Sequence, residues 1–143
     1  MPDPSVSLVV STIGRPQQLQ RLMTSLTLLS DPSVLELILV DQTADRASTG
    51  YLEAHQWPFD VVTTTSARGL SLGRNTGLEL ATADIVAFPD DDCWYESDVL
   101  SQVIWFLGRH GEIDGVSGIQ LTVDGRDSML RWARHPCWIT RGN

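Results

Sequence analysis

Apolar residues recur along this chain in short blocks of two alternating kinds. Val6–Ser11 is a near-continuous apolar run, as in a strand covered on both faces. After Gly14, Arg15 and Pro16, apolar residues return at positions 19, 22, 23, 26 and 29, the spacing of one helix face, with the proline suited to a first helical position. Leu35–Val40 repeats the strand pattern and closes on Asp41, and Asp45 and Ser48 are candidate caps for a helix over roughly 47–56 that Trp57-Pro58 ends. Phe59–Thr65, dense in β-branched residues, predicts a third strand. Gly69–Ser71 opens a helix to about Ala83, and Asp84–Phe88 predicts a fourth strand. Ser97 then caps a helix whose inner face is Val99, Leu100, Val103, Ile104 and Leu107.

Four strands separated by helical segments imply parallel pairing through right-handed crossovers, so the expected class is α/β with a doubly wound, mostly parallel sheet. From Asp114 the rhythm changes: Gly115–Val123, a turn at Asp124-Gly125 and a run to Trp132 predict an antiparallel hairpin added to the sheet. With no repeat, low-complexity tract or linker, residues 1–143 read as a single domain.

Composition narrows the chemistry. A chain of 143 residues, 42% apolar and 20% charged, is ordinary for one soluble globular domain. Its net charge of −8, with 11 of 18 acids in residues 76–143, argues against nucleic acid as a partner. All ten basic residues are arginines, which removes every function built on a lysine: a P-loop, a Schiff base, a receiver domain. Cys93 and Cys137 fit neither a zinc site nor a disulfide framework, and His55, His110 and His135 lack metal-ligand spacing. No basic leader and no apolar run near 18 residues is visible, so the expected location is cytoplasmic, or peripheral to the inner face of the membrane, with no transmembrane segment.

Against that background, Phe88-Pro89-Asp90-Asp91-Asp92-Cys93-Trp94-Tyr95 is the most informative stretch. Three adjacent carboxylates cannot be buried unpaired, so either they are solvated or a cation neutralises them, and an all-oxygen, hard donor set favours Mg²⁺ or Mn²⁺. Parallel strands end on one edge, so Ser11-Thr12, Asp41 and Asp90–Asp92 should share a rim. The turn that opens the third helix, Ala67–Gly77 with Arg68 and Arg74, joins them there. Free backbone N–H groups and two arginines suit a diphosphate. Taken singly, Asp41 reads equally well as a cap, Cys93 as a small buried hydrophobe, and Gly69, Gly73 and Gly77 as packing residues.

Together these pieces resemble the family 2 glycosyltransferases with the GT-A fold. The resemblance rests on Val-Ser-Leu-Val-Val-Ser-Thr at the first strand, Leu-Ile-Leu-Val-Asp-Gln-Thr at the second, Gly-Leu-Ser-Leu-Gly-Arg-Asn-Thr-Gly before the fourth, and the acidic stretch after it, across residues 5–95. It implies a nucleotide-diphosphate sugar donor, a divalent metal and inverting transfer to an acceptor hydroxyl. By resemblance Asp41 meets the base, Asp90 and Asp91 the sugar nucleotide together with Ser11, Asp90 and Asp92 the metal, and Arg68 and Arg74 the phosphates. No general base lies in a matching motif: Glu112, Asp114, Asp124 and Asp127 all sit beyond it. The chain is therefore expected to be the donor-binding portion of an enzyme, truncated before the acceptor-binding half, with a non-catalytic nucleotide-sugar-binding module as the alternative. Trp132 and Trp138 add an apolar face that implies self-association.

Overall fold

All seven residues of the strand Leu35–Asp41 are buried, which requires cover on both faces and neighbours on both edges. The computed structural model, which describes residues 5–118, 120–122 and 124–126, supplies them. In chain order the elements are β1 (Val6–Thr12), α1 (Pro16–Thr27), a 3-10 turn (Pro32–Val34), β2 (Leu35–Asp41), α2 (Ala47–Glu53), β3 (Asp60–Thr65), α3 (Leu70–Leu78), β4 (Ile85–Ala87) and α4 (Val99–Arg109). The four strands form one all-parallel sheet, as the alternation of apolar blocks predicts, in the order β3-β2-β1-β4.

One face of the sheet presents Val6, Leu8 and Val10 of β1 with Leu35, Leu37 and Leu39 of β2, and α1 lies against it through Leu19, Leu22, Met23 and Leu26. Those four side chains are fully buried, each contributing about 1.5–3 kcal/mol relative to exposure. Leu52 of α2, Phe59 and Leu100 of α4 complete this layer. On the opposite face α3 covers β1 and β2 at very short range. A Cβ at Gly77 would collide with Val9 and stand 3.1 Å from Val40, and one at Gly73 would collide with Ser11. The absence of two side chains, one helical turn apart, is what lets α3 settle on the sheet near its carboxyl end.

Two helices are shorter than their sequence pattern predicts, each for a local reason. At α2, expected over 47–56, the indole Nε1 of Trp57 donates to the carbonyl of Leu52 at 3.0 Å and the helix stops at Glu53. At α3, expected to reach Ala83, the backbone N–H and hydroxyl of Thr82 both donate to Glu36 Oε1, at 2.7 and 2.8 Å, drawing the chain off the helical path after Leu78. Of the expected hairpin, the turn is formed: the N–H of Gly125 donates to Thr122 and that of Thr122 to Arg126, both at 2.8 Å. No paired strands appear there among the described residues; the second arm, with Asp127 and Trp132, lies outside them, and so does Trp138.

Candidate functional site

Register sets the rim. Thr12 pairs with Asp41, and Asp41 with Thr65, so β1, β2 and β3 end level. β4 pairs only as far as Leu8 with Ala87; residues 88–92 then run on to the end of β1, where the buried Thr12 hydroxyl donates to Asp91 Oδ2 at 2.6 Å. A turn closed by the N–H of Cys93 on the carbonyl of Asp90 (3.2 Å) shapes the acidic stretch. It is fastened from behind: the N–H of Tyr95 donates to Ser25 Oγ on α1 at 3.0 Å, and Ser30 donates through both N–H and hydroxyl to Ser97 O.

The three aspartates are thereby sorted. Asp91 is fully buried, whereas the side chains of Asp90 and Asp92 are about half exposed, 53% and 47%. Each has an arginine. Arg15 puts Nη2 at 2.5 Å from Asp91 Oδ1 and Nη1 at 2.9 Å from Asp92 Oδ2, and Arg74 puts Nη2 at 3.2 Å from Asp90 Oδ1. Burial pulls the Arg15 guanidinium down, but the charges of Asp91 and Asp92 outweigh it and hold its pKa above the ordinary value. The Arg74 guanidinium also lies over the ring of Phe88, its Cζ 5.9 Å from the centroid, while its Nη2 meets Asp90.

Beside the acids is a cleft of about 260 Å³ lined by Ser11, Ile13, Arg15, Gln42, Arg68, Gly69, Leu70 and Asp90. Ser11, Arg68 and Asp90 were expected here, and Arg74 sits next to Asp90 through its ion pair. The Ser11 hydroxyl is buried with no partner, an unmet donor and acceptor at the cleft wall. Asp41, expected to face a base, is turned into the fold instead. Its Oδ1 accepts from the N–H and hydroxyl of Thr43 (3.0 and 2.6 Å), and its Oδ2 from those of Thr49 (3.0 and 3.2 Å). Burial alone would push this carboxyl up, but those four donors hold it below its usual value. With both oxygens engaged and the side chain 1% exposed, Asp41 closes the β2–α2 turn.

The cleft wall at that point belongs to Gln42. Its amide donates to Ser66 Oγ, Ala67 O and Gly69 O at 2.8–2.9 Å, and its Oε1 accepts from the N–H of Gly69 at 3.3 Å. Gln42 therefore holds the loop that carries Arg68 and opens α3. Arg15 and Gln42 are the site residues that rim placement alone does not single out, and Thr12, which it does place on the rim, carries no expected role there. The one signal for Arg15 is an arginine at the position before Pro16, where a short polar cap is the usual choice.

Whether these residues suit a divalent ion is answered by the guanidinium itself: Asp91 and Asp92 already converge on a cation. Among the described residues no three acidic, histidine or cysteine side chains close on one point. A site of one or two carboxylates, completed by water and phosphate oxygens, is the usual manner of Mg²⁺, and the donor set fits that pattern. Cys93, raised by burial and by the neighbouring aspartates, stays a thiol and offers no soft ligand.

The sequence model of the family described as Glycosyl transferase family 2 matches residues 7–141. No curated protein matches the chain. Among solved structures, that of S. aureus TarS 1-349 in complex with UDP-GlcNAc superposes with a TM-score of 0.67 at 20% identity, over 75% of this chain and 32% of that one. The mannosyltransferase PcManGT from Pyrobaculum calidifontis, in complex with GDP-Man and Mn²⁺, gives 0.63 at 22% identity, over 73% of this chain and 32% of that one. The chain thus spans about a third of the length of these structures, and the likeness is one of fold.

Proposed function

The chain belongs to glycosyl transferase family 2, and from that premise we propose that it binds a nucleotide-diphosphate sugar together with Mg²⁺ or Mn²⁺ for inverting transfer of the sugar to an acceptor hydroxyl. The observation that carries this reading is the meeting of three arginines and three aspartates at one sheet edge, around a cleft walled by Ser11 and Gln42. The two solved relatives were crystallised with a nucleotide sugar, one of them with Mn²⁺ as well.

In this reading Ser11 and Gln42 border the nucleoside, Arg68, Arg74 and the first turn of α3 take the diphosphate, and Asp90 and Asp92 hold the ion. First-turn N–H groups of a helix have no intrahelical acceptor, which makes them ready donors to phosphate. When bound, the ion supplies Lewis-acid stabilisation of the departing diphosphate. The arginines share that charge: as the acceptor oxygen forms its bond to the anomeric carbon, the electron pair of the breaking bond goes to the diphosphate oxygen. The acceptor proton needs a base. Glu112 and Asp124 are poor candidates, because Glu112 is held low by a backbone hydrogen bond and by His110, and Asp124 by Thr122 and Arg126. A base on the part of a longer protein that binds the acceptor fits better; its absence altogether would make the domain a nucleotide-sugar-binding module.

Calorimetry with UDP, GDP and dTDP, with and without Mn²⁺, tests the reading. Two like charges 4 Å apart repel by about 4 kcal/mol at an effective dielectric near 20, so a diphosphate beside the acidic stretch should bind only with the ion. Equal affinity in EDTA and in Mn²⁺, or no binding of any of the three, overturns it.

A further inference from the structure

Arg15 breaks a local rule. It stands at the N-cap of α1 and makes no capping hydrogen bond, where serine, threonine, aspartate or asparagine would stabilise the helix and where a positive charge opposes the helix dipole. Its side chain goes instead to Asp91 and Asp92, and it also lines the cleft with Arg68. Its Nε is buried without an acceptor, a donor that costs free energy to leave unmade. Pro16, with its locked φ, opens α1 directly after Arg15, so the Arg15 backbone is held at the helix start while its side chain can turn. Asp91 gains a further consequence: with Thr12 on one oxygen, Arg15 is the only cation on the other among the described residues.

We infer that Arg15 is the internal counter-ion that a divalent cation must compete with, and that this competition couples cation binding to donor binding. Without nucleotide, the guanidinium neutralises the two carboxylates on which it converges, and Mn²⁺ or Mg²⁺ meets a site already carrying a positive charge. A diphosphate in the cleft offers Arg15 another anion, with its unmet Nε available. The guanidinium then leaves Asp92, and the carboxylate becomes free for the ion. Coupling of this kind is reciprocal: the nucleotide tightens the metal by the factor by which the metal tightens the nucleotide. Arg15 is thus a positioning residue. It rests on the donor-binding reading above and adds to it the origin of the metal's dependence on donor.

Mn²⁺ affinity measured by electron paramagnetic resonance of the free ion, with and without UDP or GDP, needs no turnover. In the unaltered chain, the nucleoside diphosphate should tighten Mn²⁺ at least tenfold. In Arg15→Gln, Mn²⁺ alone should bind at least tenfold tighter than in the unaltered chain, with the nucleotide's further effect reduced to less than threefold. Should that variant not fold, Arg15→Lys decides: its ammonium is a single point charge that cannot bridge two carboxylates, so Mn²⁺ alone should bind at least threefold tighter. Unchanged or weaker Mn²⁺ affinity in the folded variant, with nucleotide coupling intact, makes Arg15 a structural ion pair and overturns the inference alone. Absence of Mn²⁺ binding from every protein, with or without nucleotide, overturns the donor-binding reading as well.

Discussion

The hydroxyl of Thr12 donates to Asp91 Oδ2 at 2.6 Å although the two residues lie 79 positions apart, and both are buried. This bond ties the end of β1 to the acidic stretch, and it decides which aspartate serves the fold and which two are left for ligands. Asp91 is the post on which Asp90 and Asp92 are mounted.

Replacing that hydroxyl by a methyl group, in Thr12→Val, should cost about 1–3 kcal/mol of stability, since a buried carboxylate oxygen loses its donor at nearly constant volume. The same change should weaken Mn²⁺-dependent nucleotide binding, because the acidic stretch is no longer anchored. Urea denaturation and calorimetry on one preparation read both effects; a stable variant with unchanged binding would show that Arg15 alone seats Asp91.

Asp41→Ala leaves two backbone N–H groups and two hydroxyls without their acceptor. The expected loss is about 2–3 kcal/mol of stability, with affinity for nucleoside diphosphate within about threefold of the unaltered chain, as the carboxylate does not reach the cleft. A strong loss of affinity in a variant of normal melting temperature would return Asp41 to the base.

The contrast between Asp41 and its neighbour explains how much of this site was legible beforehand. The parallel pairing and the shared rim follow from the crossovers, so β1 to β4 and the placement of Ser11, Arg68 and Asp90–Asp92 emerge from the pattern of apolar blocks, whereas the order β3-β2-β1-β4 does not. Which of two adjacent residues faces the cleft does not: successive side chains leave a strand on opposite sides, and a shift of one position exchanges Asp41 for Gln42. The sorting of Asp90, Asp91 and Asp92 depends on Thr12 and Arg15, more than 70 positions away, which no local spacing encodes. The helix ends at Glu53 and Leu78 were missed for a related reason, since Trp57 and Glu36 draw the chain away through side-chain hydrogen bonds.

Gly77→Ala should destabilise by about 1–3 kcal/mol, the usual cost of overpacking, even though alanine is the better helix former. Its Cβ would meet Val9 and Val40 and push α3 off the sheet, carrying the Arg74 end of the helix with it. Gly50, with open space around its Cβ position, is the control: Gly50→Ala should be neutral or stabilising. Paired thermal melts settle the comparison, and a neutral Gly77→Ala would mean that α3 can shift without cost.

Acid stability should be governed in part by Glu36. It is 4% exposed, and its Oε1 accepts from the Ser7 hydroxyl at 2.5 Å and from the N–H and hydroxyl of Thr82, while Ser7 Oγ accepts from the N–H of Ala83 at 3.0 Å. The cluster latches the α3–β4 connection to the sheet. Burial pushes the carboxyl up, but the donors outweigh it and its folded pKa lies below the ordinary value. A depressed carboxyl binds fewer protons folded than unfolded, so its stabilisation is complete above the unfolded value, about 4.3, and is lost as pH falls through the lower folded one. Glu36→Gln should therefore be less stable than the unaltered chain by about 1–3 kcal/mol at pH 7, with the gap closing as pH is lowered from about 5 towards 3. Asp41, also depressed, stays in both proteins, so its contribution to the acid limb cancels in the difference. Urea midpoints taken across that range give the difference directly. A gap that stays constant with pH would mean that the ionised form of Glu36 gains nothing from Ser7 and Thr82, and that the latch is held by shape alone.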